Sequence, residues 1–269
     1  MLRIRKRARI LLVAAFLTGP SSVLFSSSIG GQPVGSKDSV SKDITIKSYK
    51  GFMKEENRSG GFLIEDIFGP ADLKAAGPVK IKRIEGDLKL TTRIGDIEIG
   101  EAKGQVAATA ESGNININKA HKHVSLSAEM GEVIVQSAKS VDVKNILGGD
   151  VKLLGIEEYS TVATRGNILC VINTNTPPTN LCTLSSKEGD VTLYLPKRIG
   201  ADIEIWVPLS KEPQREIHFE SDFPFTKFDQ RYQADLFLIL SAQINGGGSK
   251  IHIDIERGNI YLRSTQASH

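Results

Sequence analysis

The sequence predicts an all-β protein, a single-stranded β-solenoid of ~18-residue coils with an irregular N-terminal cap and an aromatic-rich C-terminal insert. Three observations carry this reading. A Gly followed by Asp, Asn or Glu and an apolar-x-apolar triplet recurs as Gly86-Asp87-Leu88-Lys89-Leu90, Gly95-Asp96-Ile97-Glu98-Ile99, Gly113-Asn114-Ile115-Asn116-Ile117 and Gly131-Glu132-Val133-Ile134-Val135. These glycines are separated by 9, 18 and 18 residues, and Gly104-Gln105-Val106-Ala107-Ala108 is a worn copy in the gap. Within each phrase the apolar residues alternate, and alternate side chains of a β-strand face opposite sides. Ile97, Ile99, Ile115, Ile117, Val133 and Val135 are therefore expected inside, with Glu98 and Asn116 outside. Gly allows the tight corner, and the Asp or Asn beside it can bond turn backbone. One strand cannot bury its apolar side alone, so copies must stack at ~4.8 Å spacing.

Residues 1–28 read as a secretory signal peptide. Arg3, Arg5, Lys6, Arg7 and Arg9 precede an apolar run from Ile10 to Leu17, and small residues follow at Ser26, Ser27 and Ser28. The run breaks at Gly19-Pro20, short of the ~20 residues that span a bilayer, so a membrane contact is expected only if this segment is retained as an anchor. Subtracting these five charges from the formal net +3 leaves −2 for the rest of the chain. The basic balance belongs to the leader, and no basic stripe remains to bind nucleic acid. Residues 29–42, rich in Gly, Ser and Lys, read as a flexible linker. Residues 43–265 form the solenoid domain, whose 6% aromatic content suits a thin core of Ile, Val and Leu.

The first strands, around Ile44-Thr45-Ile46 and Phe62-Leu63-Ile64, are expected to cover the open end, because unprotected end strands invite aggregation. Val124-Ser125-Leu126 and Val141-Asp142-Val143 fall midway between the Gly phrases as half-coils. The phrase continues at Gly149, Gly166 and Gly189, with steps of 18, 17 and 23. The excess of the last step falls in Asn173, Thr174, Asn175, Thr176, Pro177, Pro178, Thr179 and Asn180. Prolines cannot serve a central ladder, so this segment is a bulging corner loop and a candidate binding loop. After Ala201-Asp202-Ile203-Glu204-Ile205 the repeat lapses, then resumes at Lys250-Ile251-His252-Ile253 and Gly258-Asn259-Ile260-Tyr261-Leu262.

The Gly-Asp-Val-x-Leu phrases, Ser221-Asp222-Phe223-Pro224, the Asn245-Gly246-Gly247-Gly248 turn and the closing strand pair together resemble the bacterial adhesin family of β-strand repeat proteins, from about residue 44 to 263. The resemblance implies an exported β-solenoid associated with the cell envelope, and it carries no catalytic residue across. The corner loop and the two cysteines depart from the family pattern.

Each candidate for chemistry has a plainer alternative. Asp87, Asp96, Asn114, Glu132, Asp150 and Asn167 could stack into a Ca²⁺ ladder, but one carboxylate or amide per corner is sparse for that ion, and turn roles are expected. His121 and His123 alternate, yet no Cys or carboxylate sits at ligand spacing, so neither metal nor cofactor is expected. Lys89, Glu98 and Lys152 are outward candidates for a polysaccharide-active β-helix enzyme, with nothing in the spacing to unite them. The aromatics from Trp206 to Phe237 suit a sugar-stacking platform or, preferably, a buried cap, and Leu236-Phe237-Leu238-Ile239-Leu240 is expected to be buried. Cys170 and Cys182 both fall on inward positions of the repeat. A bridge between them in an oxidising compartment and two unreacted buried thiols both stay open.

The expected function is that of a non-enzymatic, adhesin-like binding or scaffolding protein of the periplasm, cell envelope or extracellular space, whose partner is an envelope protein or a polysaccharide surface. A self-associating structural solenoid is the alternative.

Overall fold

The structure, a computed structural model, describes residues 43–145, 147–174, 178–209, 217–233 and 236–265. The expected signal segment and linker lie outside these residues, as do Asn175, Thr176 and Pro177 of the expected corner loop. The described residues form strands and no helix. In chain order these are β1 (Ile44–Lys50), β2 (Met53–Asn57), β3 (Phe62–Phe68), β4 (Ala71–Ala75), β5 (Val79–Ile84), β6 (Leu88–Ile94), β7 (Ile97–Ala102), β8 (Val106–Ser112), β9 (Ile115–Met130), β10 (Val133–Val135) and β11 (Ala138–Asn145). They continue as β12 (Val151–Ile156), β13 (Ser160–Thr164), β14 (Ile168–Ile172), β15 (Asn180–Ser186), β16 (Val191–Pro196), β17 (Ala201–Pro208), β18 (Phe219–Ser221), β19 (Phe225–Gln233), β20 (Phe237–Ile244), β21 (Ser249–Ile255) and β22 (Ile260–Thr265).

Parallel pairing sorts the strands into two faces of a β-solenoid. On the first face the inward residue after each corner stacks on its equivalent: Val79, Ile97, Ile115, Val133, Val151, Ile168, Val191 and Ile260 are successive register partners. All eight are buried, as are Ile99, Ile117 and Val135. The second face repeats the arrangement through Leu88, Val106, Val124 and Val141. Steps of nine in the sequence are thus half-coils, one face to the other, and steps of eighteen are full coils. β9 rounds the corner unbroken, its first part pairing on one face with β7 and its last part on the other with β8. Glu98 is exposed as expected. Asn116 is only half-exposed, and its Oδ1 is buried without a hydrogen-bond partner among the described residues. It lines a hollow together with Leu63, Lys80 and Glu98.

The two ends differ. β1 and β2 stack on β3 and β4 in parallel register, so they are atypical in exposure rather than in pairing; nearly all of β1 is exposed. The other end is finished by antiparallel strands, β20 on β17 and β19 on β20. A parallel stack cannot continue past that hairpin on this face.

The order of coils is also not the order of the chain. β15 pairs with β21, and β21 pairs with β17; likewise β16 pairs with β22, and β22 with β18. The repeat phrase that resumes after a lapse therefore fills a slot between two coils laid down earlier. The return is made at Asn245 (φ 48°), Gly246 and Gly247 (φ 87° and 84°), left-handed backbone that Gly and Asn tolerate.

The aromatic insert divides. Phe219 and Phe223 are buried, and Phe219 stacks on Phe225 at 5.5 Å, closing the end of the core. The apolar run is not uniformly hidden: Ile239 and Leu240 are buried, but Leu236 is 61% exposed. Leu236 stands at the turn between β19 and β20, beyond the reach of the core, which explains the departure from the expected burial.

Candidate functional site

Period-two alternation gives every strand of the second face an outward row, and the threaded coil brings six such rows side by side. The lateral order is β13, β15, β21, β17, β20, β19. Thr161, Thr183, His252, Glu204, Ser241 and Asp229 are successive register partners across these strands. A second row, two residues away on four of these strands and three away on β15, where the register shifts, runs Asn180, Lys250, Asp202, Gln243 and Lys227. Together they floor a trough of about 1210 Å³, with Tyr159 and Pro178 at one rim. Six strands span ~24 Å across, and the volume is above the ~300–1,000 Å³ usual for small-molecule sites.

The acidic groups of the trough are already engaged. Glu204 Oε1 accepts from Arg231 Nη2 at 3.0 Å, and its Oε2 lies 3.8 Å from His252 Nδ1. His252 Nε2 lies 3.0 Å from Asp254 Oδ1. Asp202 accepts from the Gln243 side chain at 2.7 Å and from the Gly248 amide at 3.1 Å. Asp229 accepts from the Gln230 amide at 2.9 Å. Beside the trough, Trp206 meets His252 and Phe237 at ring-centroid distances of 5.8 and 5.5 Å, so these two aromatics border the site rather than join the end cap.

The candidate binding loop reaches this site at its far end. Pro178 and Asn180 line the trough. The carbonyls of Pro178 and Thr179 accept from Ser249 Oγ and the Lys250 amide, both at 2.7 Å, so the threaded coil ties the loop down. Asn173 stands at its start, the Thr179 side chain is exposed, and Thr174 is half-buried.

Cys170 and Cys182 are both inward, as the repeat register predicts, and both are free thiols in the structure. Cys182 lies under the trough, and Ser160 Oγ is 3.5 Å from Cys170 Sγ. Burial pushes the Cys170 thiol up to about 12 and holds Cys182 well above its ordinary range. Both are neutral at physiological pH and therefore poor nucleophiles.

The other candidates are not brought together. The corner residues form a ladder of hydrogen bonds: Asp87, Asp96, Asn114, Asp150, Asn167 and Asp190 each accept, through Oδ1, the backbone amide of the matching corner one coil further along the stack. They join successive coils, a role the sequence reading placed within a single turn. Among the described residues no group of three or more His, Cys, Asp or Glu is arranged to hold a metal ion. His121 pairs with Glu101 at 2.7 Å, whereas His123 contacts Ser140 at 3.0 Å and stacks on Tyr159. Glu98 pairs with Lys80 and Lys152 with Glu132 on the first face, while Lys89 lies on the second. The trough itself escapes sequence reasoning, because its rows come from strands far apart in the chain. Only the outward polar positions of 202–204 and 250–252 hint at it.

No family model matches the chain, and neither does any curated protein or solved structure.

Proposed function

We propose that this protein is an exported, non-enzymatic binding and scaffolding element of the cell envelope or extracellular space, the adhesin-like role that its resemblance implies, and that it engages an envelope protein or polysaccharide through the trough on its second face. The trough is the observation that carries this reading. It is a concave, side-chain-lined surface on a rigid stack, too long for a single small molecule and suited to many weak polar contacts. The basic and apolar order of residues 1–28 supports export.

The test is expression of the full chain in a bacterial host, followed by fractionation, mass measurement of the N-terminus and retention of the purified protein on isolated envelope material. The expected product lacks residues 1–28, lies outside the cytoplasm and is retained. A cytosolic protein beginning at Met1, or one that no envelope fraction retains, contradicts the proposal.

A further inference from the structure

We infer that the trough, with the hollow beside it, binds an uncharged polysaccharide laid across the sheet. This deepens the binding role proposed above and rests on it. The charge pattern disfavours an ionic polymer of either sign. Lys250, Asp202, Gln243 and Lys227 are successive neighbours in the second row, so a carboxylate lies between the two ammoniums. In the first row Glu204 and Asp229 flank Ser241. Asp202 and Asp229 accept hydrogen bonds only from neutral donors and keep their charge, whereas Glu204 pairs with Arg231. A polyanion that reaches both lysines crosses Asp202, and a polycation that reaches the carboxylates meets the lysines. Interleaved signs offer neither a continuous attractive field.

Hydroxyl groups, by contrast, have a use for every side chain on this surface. A sugar hydroxyl donates to a carboxylate, accepts from an ammonium and does both with Ser, Thr and Asn. The hydroxyls of Thr161, Thr183 and Ser241 and the amide of Asn180 line the trough with no hydrogen bond among the described residues. Two aromatic residues add apolar surface. Tyr159, two residues before Thr161, is 37% exposed and stacks on His123. Trp206, two residues beyond Glu204, is half-buried and lines a hollow of about 410 Å³ that shares His252 with the trough. A pyranose ring carries hydroxyls around its rim and C–H groups on its faces, which suit a polar floor and aromatic side chains together. Tyr159 and Trp206 stand three strand intervals apart across the sheet and two rows apart along it, ~20 Å in all. One sugar ring cannot reach both, so the ligand is a chain running diagonally over Thr183 and His252.

The backbone disfavours a peptide. Extended peptides add to sheets through main-chain hydrogen bonds at an open edge. Five of the six strands beneath the trough have a paired neighbour on both sides, so their main-chain groups are spent in the ladder. Recognition there has to come from side chains.

The experiment measures binding of the full-length mature protein to neutral dextran, galactomannan, laminarin and hydroxyethylcellulose by affinity electrophoresis, and to polygalacturonate and polylysine by calorimetry. The expected result is binding to at least one neutral polymer that does not change as salt rises, with little binding to either charged one. Tyr159→Ala should lose about fivefold in affinity for that polymer, as expected for a lost aromatic contact. Thr183→Val keeps the shape of an exposed strand residue but removes its hydroxyl, and should lose about threefold. Lys227→Gln/Lys250→Gln removes both charges while keeping donors, and should bind within about twofold of the parent. Tyr49→Ala removes a tyrosine of similar exposure at the other end of the stack and should bind as the parent does. Failure of every neutral polymer to bind, salt-sensitive binding to a charged polymer alone, or neutral binding indifferent to both Tyr159→Ala and Thr183→Val overturns the assignment. If envelope fractions retain the parent although no neutral polymer binds it, the broader binding role stands and only this assignment falls. If no fraction retains the parent, both fall.

Discussion

Deleting residues 249–269 is expected to unfold the C-terminal part of the solenoid while leaving its N-terminal coils intact. The deleted coil carries Ile251, Ile253, Ile255, Ile260 and Leu262, each 0–1% exposed. At ~1.5–3 kcal/mol for each buried side chain, the loss is of order 10 kcal/mol, comparable with the whole stability of a typical domain. The loss is also topological. β15 and β17 have β21 between them, and β16 and β18 have β22 between them, so the deletion opens ladder edges on both faces at once. Coils of a solenoid contact mainly their neighbours, so damage there need not spread to the strands before β12. Limited proteolysis read by mass spectrometry should find cleavage concentrated between 180 and 248 and a protected fragment beginning near residue 43. Uniform resistance equal to that of the parent would contradict the threaded coil.

Gly113→Ala is expected to be strongly damaging for so small a substitution at a corner. Gly113 has φ 138°, and a Cβ built there would lie 2.3 Å from the carbonyl oxygen of Gly95 in the preceding coil. Two costs add: a backbone conformation that L-residues resist, ~1–3 kcal/mol, and a clash with main chain that cannot rotate away, another ~1–3 kcal/mol. Gly246→Ala separates them. Gly246 has φ 87°, but a methyl group added there would meet nothing within 4 Å, so only the backbone cost applies. Urea denaturation should rank Gly113→Ala as clearly worse than Gly246→Ala. Equal losses would mean that the corner coils are not in van der Waals contact through their glycines.

Much of this architecture was legible in the residues themselves. The phrase Gly-Asp-Ile-Glu-Ile encodes a corner, an inward pair and an outward polar residue, and the buried column from Val79 to Ile260 follows from it. The inward placement of Cys170 and Cys182 follows from the same register. Three features did not follow, each because a local pattern does not state which strand lies beside which. The corner Asp and Asn side chains bond the next coil, as Asp96 does with the Asn114 amide at 2.7 Å, although local chemistry alone suggests a bond within the turn. The coil of β21 and β22 carries an ordinary repeat phrase and gives no sign that it inserts ahead of strands that precede it in the chain. The trough depends on that insertion, since His252 and Lys250 reach Glu204 and Asp202 only because β21 lies against β17. Leu236 shows a further limit: an apolar run predicts burial on average, but a turn leaves its first residue outside.

The threaded coil underlies both the closed core and the trough, and amide NOEs in a deuterated, amide-protonated sample test it most directly. The expected spectrum links β21 amides to those of both β15 and β17, including contacts around the partners Thr183, His252 and Glu204, with no direct link between β15 and β17. Direct β15–β17 NOEs, with β21 seen only at the end of the stack, would contradict the fold order and remove the floor of the proposed site.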